Sequence, residues 1–152
     1  MSLDVGSVAP DFTLKSQHGE DVSLSSFRGT NVLLVFIPFA FSGICSDELA
    51  ALRDDADTFE AAQTQILVVS CDHFFSNRAF ADQQGHPFPV LSDFWPHGEV
   101  SRAYGIFNDE VGVPNRGTYV IDREGVLRWM VQMGIGDQRD LADYRAAVAE
   151  LS

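Results

Sequence analysis

Two stretches of the chain, Val32–Ile37 and Ile66–Cys71, are apolar nearly throughout and rich in β-branched residues, the pattern of strands buried on both faces. Thr118–Ile121 and Val126–Gln132 share that composition, and the turn residues Asp122-Arg-Glu-Gly125 between them predict that these two pair antiparallel. Near the start, Asp11–Leu14 and Asp21–Leu24 alternate apolar and polar positions on either side of Lys15-Ser-Gln-His-Gly-Glu20, which predicts an N-terminal β-hairpin. Elsewhere the period is that of a helix. After Cys45, apolar residues recur at Leu49, Leu52, Ala56 and Phe59, in steps of three and four that share one helical face. Phe74–Gln84, Gly98–Tyr104 and Asp137–Leu151 read as further helices, the last turning Leu141, Tyr144, Val148 and Leu151 inward. Strands alternating with helices predict an α/β three-layer sandwich.

Composition narrows what such a sandwich does. With 152 residues, 45% of them hydrophobic, and neither an internal repeat nor a linker, residues 1–152 are expected to form one domain. A chain of this size buries about 70% of the surface that it exposes when unfolded. A formal charge of −12 argues against nucleic acid as a partner, because a polyphosphate is held by clustered Lys and Arg. No stretch approaches the ~18–20 apolar residues that span a bilayer, and Met1–Asp4 leads into no apolar signal segment. The expectation is a cytoplasmic protein with no membrane partner. Two cysteines, Cys45 and Cys71, are too few for a disulfide framework.

Cys45 stands where an apolar strand has ended at Pro38, a short loop has followed, and a helical pattern opens. A thiol in the first turn of a helix faces unpaired backbone N–H groups and the positive end of the macrodipole, and both favour the thiolate. With Ser42 as N-cap, Cys45 is the third helical residue, the position at which a capping box carries a carboxylate. Asp47 and Glu48 follow, placed by the pattern in the first turn, and their charge opposes a neighbouring thiolate. A cation must offset them. Arg53 is two helical turns away; Arg116, which opens the strand at Thr118, is the better candidate.

Pro38-x-x-x-Ser42-x-x-Cys45 resembles the peroxidatic signature of the peroxiredoxins, Pro-x-x-x-Thr/Ser-x-x-Cys, and Asn115-Arg-Gly-Thr-Tyr-Val-Ile-Asp122 resembles the strand that carries their active-site arginine. The likeness runs from Val8-Ala-Pro-Asp-Phe-Thr-Leu14 to the last helix. Within that family, Phe39-Ala-Phe-Ser-Gly-Ile-Cys45, Leu91-Ser-Asp-Phe-Trp-Pro-His-Gly98 and the lone nucleophile are most similar to the actinobacterial one-cysteine subgroup, alkyl hydroperoxide reductase E.

The resemblance implies a thioredoxin-like fold with an N-terminal β-hairpin extension, and a thiol-dependent peroxidase that reduces hydrogen peroxide and organic hydroperoxides. In that cycle Cys45 attacks the terminal peroxide oxygen and becomes a sulfenic acid, Ser42 Oγ positions the substrate, and Arg116 holds sulfur and peroxide in line. Pro38, with a rigid ring and no N–H, shields the sulfur from water. Also implied are a homodimer or higher homo-oligomer and an external thiol reductant: a mycoredoxin- or thioredoxin-like protein, or a low-molecular-weight thiol. No cofactor is implied. Ionisation is the smaller part of such catalysis. A thiol of pKa ~8.5 is already a few per cent thiolate at neutral pH, so full ionisation gains about 30-fold at most. Donors that polarise the O–O bond in a water-poor pocket are worth ~3 kcal/mol each.

Rival readings use the same residues. Cys71, at the end of its strand, is either an inert small apolar side chain or a resolving cysteine that makes a two-cysteine peroxidase. Peroxiredoxins with an internal disulfide often place the second cysteine five residues after the first, where this chain has Ala50, or in a later helix or tail, where it has none. The one-cysteine cycle is therefore favoured. A non-enzymatic peroxide sensor that relays oxidation to a partner would pass through the same sulfenic acid. Thioredoxin-type exchange needs Cys-x-x-Cys, and position 48 is Glu; a cysteine hydrolase usually has a second glycine at the nucleophile turn, absent here. His18, His73, His86 and His97 lack metal-ligand spacing, so no metal is expected. Phe39, Phe41, Phe94, Trp95 and Phe107 either fill the core or frame the Cys45 loop and a subunit contact, and Phe39, Phe41 and Ile44 hint at organic substrates.

Overall fold

The computed structural model describes residues 3–41, 43–137 and 139–151, and the apolar runs form the inner strands of a seven-stranded sheet. The chain enters through an antiparallel hairpin, β1 (Thr13–Lys15) and β2 (Asp21–Ser23), followed by a 3-10 turn over Leu24–Phe27. β3 (Asn31–Phe36) leads through two helices, α1 (Gly43–Asp54) and α2 (Ala56–Ala61), to β4 (Thr64–Ser70), which pairs parallel with β3. Helix α3 (Phe74–Gln84) then returns the chain to β5 (Val90–Ser92), parallel to β4. A short helix α4 (Glu99–Ala103) and a two-stranded ribbon, β6 (Phe107–Asn108) and β7 (Val113–Pro114), precede the antiparallel pair β8 (Arg116–Ile121) and β9 (Leu127–Met133). Helix α5 (Leu141–Ala149) closes the chain. The sheet order is β2-β1-β5-β4-β3-β8-β9, with β8 antiparallel to β3, and helices cover both faces: the three-layer thioredoxin-like sandwich expected, hairpin included.

Strand alternation sorts the core. Leu33, Val35 and Ile37 of the β3 segment point to one face with Ile66 and Val68, where α1, α2, α3 and α5 contribute Leu49, Leu52, Phe59, Phe80 and Val148. Val32, Leu34 and Phe36 point to the other with Leu67 and Val69, under the N-terminal segment and α4. Because helices cover both faces, every position of β3 is buried, and this is why its sequence does not alternate.

The helical boundaries differ from the periodic reading at two places, each because a polar side chain captures a backbone or a partner. The single helix expected through Phe59 breaks at Asp55, whose carboxylate accepts from Arg145 Nε of α5 at 2.6 Å and from Thr58 Oγ1 at 2.9 Å. The last helix opens at Leu141, not Asp137: Asp140 accepts from the Ala142 N–H at 2.9 Å as its N-cap, while Asp137 is turned back to the Gly134 N–H. β5 and the β6–β7 ribbon were not expected, being too short to carry a period. No helix among the described residues is long and apolar enough to cross a membrane.

Among the described residues, one buried polar side chain is left without compensation. The His86 ring, 9% exposed, lies against Phe88 and edge-on to Phe80, and neither ring nitrogen has a hydrogen-bond partner among the described residues. Burial, and then the Arg53 guanidinium, push its pKa down to about 4. The unfolded chain, with the ordinary value of about 6.5, takes up the proton first, so stability is lost as pH falls from about 6.5 toward 4. Between pH 7.5 and pH 5 the loss is of order 2 kcal/mol. Urea denaturation at these two pH values should show that loss in the wild type and a markedly smaller one in His86→Phe; equal losses would show that His86 does not titrate this way.

Candidate active site

With Gly43 the first helical residue, Cys45 is the third residue of α1, and its side chain is fully buried at the end of the first-face core. A helical step of three brings Glu48 onto the same face, beside Leu49 and Leu52. Asp47 and Glu48 thus fall in the second turn and not, as expected, in the first, which contains no acid. Glu48 is instead buried, at 8% exposure, in an otherwise apolar stripe. A carboxylate there survives only with cations around it.

Two arginines surround it. Arg116 opens β8, and the alternation that sends Val120 to the first face sends Arg116 there too, 2% exposed. Its Nε donates to the Ile135 carbonyl at 2.7 Å, and one terminal nitrogen donates both to Glu48 Oε1 at 2.7 Å and to Cys45 Sγ at 3.2 Å. Arg139 comes from the loop before α5 and is bonded through every part of its fork. Nε donates to Glu48 Oε2 at 3.0 Å, and one terminal nitrogen to Oε1 at 2.9 Å. The other donates to the carbonyls of Phe36 and Gly117 and to Thr118 Oγ1, while the Arg139 backbone N–H also reaches Glu48 Oε2. Phe36 and Gly117 are the last paired residues of the β3–β8 ladder, so the guanidinium occupies the point where those strands diverge. Thr118 Oγ1 in turn donates to Tyr144 Oη at 2.9 Å, tying α5 to the cluster.

The electrostatics follow from this packing. Burial alone would raise the Glu48 pKa, but the Arg139 hydrogen bonds and charge, with Arg116 behind them, hold it below the ordinary carboxylate value. Burial also works against the Arg139 charge, and its bonds to Glu48 more than offset that. Two cations share one carboxylate, leaving the cluster one positive charge in excess where it meets Sγ.

The other expected residues are distributed as follows. Pro38 is buried in the loop directly after β3, and Ser42 lies outside the described residues. The loop between them is fixed by Asp72, past the end of β4, whose carboxylate accepts from the Ala40 N–H at 2.8 Å. Phe41 takes a left-handed backbone (φ 67), unusual for an aromatic residue, and lays its half-exposed ring against Phe80. Cys71 is elsewhere. The alternation that sends Leu67 and Val69 to the second face carries on to Cys71, where Ser101 and the Gly98 backbone hydrogen-bond it. Burial, then the nearby Asp93 carboxylate, push its thiol up to about 12. The sheet thus lies between the two sulfurs, and neither cysteine is in a disulfide. His73 caps α3 through Nδ1 and the Phe75 N–H, His97 bridges toward the Phe94 and Gly112 carbonyls, and His18 is exposed in the hairpin turn. Among the described residues no three His, Cys, Asp or Glu side chains are grouped to hold a metal ion.

Comparison with known proteins identifies the family. A family model described as the AhpC/TSA family matches residues 5–130. Alkyl hydroperoxide reductase E of Mycobacterium tuberculosis (strain ATCC 25618 / H37Rv) is 47% identical over 151 residues, 99% of each chain. Peroxiredoxin Q, chloroplastic, of Triticum aestivum is 38% identical over 126 residues, 82% of this chain and 57% of that protein. Among solved structures, Enterococcus faecalis AhpC superposes with a TM-score of 0.90 at 22% identity, covering 99% of this chain and 92% of that one, a likeness of fold.

Removing one side of a buried ion pair costs about 3–5 kcal/mol, because the remaining charge is left uncompensated. Arg139→Met should therefore lower the urea stability by about that amount, and Glu48→Gln combined with it should recover part of the loss. Additive losses in the double-mutant cycle would show that Glu48 and Arg139 are not coupled.

Proposed function

The chain belongs to the AhpC/TSA family and is a thiol-dependent peroxidase, and we propose that Cys45 is its peroxidatic sulfur and Arg116 the cation that serves it. The observation that carries this assignment is the 3.2 Å contact between Arg116 and Cys45 Sγ inside a cluster with one positive charge in excess. In the reaction the Cys45 thiolate attacks the terminal oxygen of a hydroperoxide and the O–O bond breaks. Two electrons pass from sulfur to oxygen, the departing oxygen takes a proton and leaves as water or an alcohol, and Cys45 becomes a sulfenic acid. Arg116 has donors turned both to sulfur and to the carboxylate that orients it, so its fork is held before substrate arrives and can stabilise charge on the departing oxygen. Ser42, three positions before Cys45, is assigned to position the peroxide, and Pro38 to shield the sulfur.

The cycle closes on an external thiol. A first thiol attacks the sulfenic sulfur and expels water to give a mixed disulfide, and a second thiol displaces Cys45 from it. A Cys45–Cys71 bridge would have to cross the sheet, which supports the one-cysteine route. A mycoredoxin- or thioredoxin-like protein, or a low-molecular-weight thiol, fits the reductant's role, and the compartment assigned is the cytoplasm. Phe39 and Phe41 of the loop and Phe75 of α3 expose 39%, 50% and 68% of their surface, apolar area that suits the subunit contact of a homodimer.

Stopped-flow oxidation with hydrogen peroxide and with an organic hydroperoxide, read by intact mass, tests the assignment. Wild type and Cys71→Ser should each gain one oxygen at Cys45, Cys45→Ser none, and Arg116→Met should react about 10²–10³-fold more slowly. Fast peroxide consumption by Cys45→Ser would overturn the reading, as would a Cys45–Cys71 crosslink.

A further inference from the structure

On the second face, away from Cys45, a groove of about 250 Å³ runs between the β1 segment and α4. Phe12 and Val100, both nearly buried, form its floor with Asp93, whose buried carboxylate accepts from the N–H groups of Val100 and Ser101. Asp11 and Glu99 stand on its rim as carboxylates, and the Trp95 indole lies beside them with 81% of its surface exposed. Asp11 is fixed in place, its Oδ1 accepting from the N–H groups of Phe12 and Ser25 at 2.9 and 3.0 Å. Among the described residues the Glu99 carboxylate has no ion-pair or side-chain hydrogen-bond partner, and no lysine, arginine or histidine lines the groove. The arginine of α4 that could neutralise it is engaged elsewhere: Arg102 lies 4.1 Å over the Phe107 ring and pairs with Asp109 at 2.7 Å.

An exposed tryptophan face and two rim carboxylates beside the apolar surface of Phe12 and Val100, with the Asp93 carboxylate already engaged below them, are complementary to a guanidinium. A guanidinium stacks on indole and donates in its plane to carboxylates, while its methylene stem packs on apolar surface. The net charge of −12 adds attraction at long range for a basic partner. We propose that the groove between β1 and α4 docks a basic segment of a protein partner, one arginine side chain of which stacks on Trp95 and pairs with Asp11 and Glu99. A partner bound there would leave the Cys45 loop, on the other face, open to peroxide and reductant. The assignment does not depend on the peroxidase chemistry.

The test is a titration of the ¹⁵N-labelled protein with an acetylated, amidated tetra-arginine peptide, followed by amide shifts. Saturable shifts confined to Thr13, Leu14, Glu99, Val100 and Ala103 are expected, with tetra-lysine binding more weakly. Trp95→Ala and Glu99→Gln should each weaken binding about threefold or more, whereas Glu124→Gln, which removes the same charge from the exposed β8–β9 turn, should leave it unchanged. The same spectra report whether each variant is folded. Shifts spread over the acidic surface, equal affinity in all three variants, or no binding would overturn the proposal. So would groove amides that shift with protein concentration alone, which would make a second copy of the chain the occupant.

Discussion

Two guanidinium groups sharing one buried carboxylate are the interaction around which the rest is arranged. Glu48 sits on a face of α1 that is otherwise apolar; Arg139 takes both of its oxygens, and Arg116 adds a further approach to Oε1. That division has a chemical effect. Because Arg139 carries most of the burden of Glu48, Arg116 keeps a donor for Cys45 Sγ and is not pulled wholly onto the carboxylate. A buried triad of this type adds little stability relative to an apolar replacement, which is consistent with the role proposed for it at the sulfur.

The sequence made the inner strands legible because two-sided burial writes itself as unbroken apolar runs, and β3 and β4 are such runs. The pairing of Cys45 with Arg116 was legible for a chemical reason: a nucleophile near acidic neighbours needs a cation, and the family resemblance said where it would be. Arg139 was missed. It follows Gly134-Ile-Gly-Asp137, a stretch without period, and is drawn inward by tertiary contacts alone. A signal did exist. Glu48 shares a helical face with Cys45, Leu49 and Leu52, and an acid on an inward face implies buried cations in a chain that has only 10 Lys and Arg. The loop anchor Asp72 was equally invisible, since what matters is the strand end on which it lies.

The sheet also assigns different chemistries to the two sulfurs. Cys45 faces a layer that brings it a guanidinium, while Cys71 faces a buried carboxylate, Asp93, in a setting that keeps it a thiol. The difference comes from residue parity along β4. Odd positions there point toward α4 and even positions toward the helical layer that holds Cys45, so a thiol at 71 is committed to the far side however short the path through the strands.

Arg139 also grips the carbonyls of Phe36 and Gly117 at the mouth of the β3–β8 ladder. A side chain thus continues the rungs after the backbone has run out of them. The splay of these two strands and the grip of the Arg139 fork on Glu48 are set by one side chain, so the carboxylate that Arg116 shares is anchored to the point where the strands part.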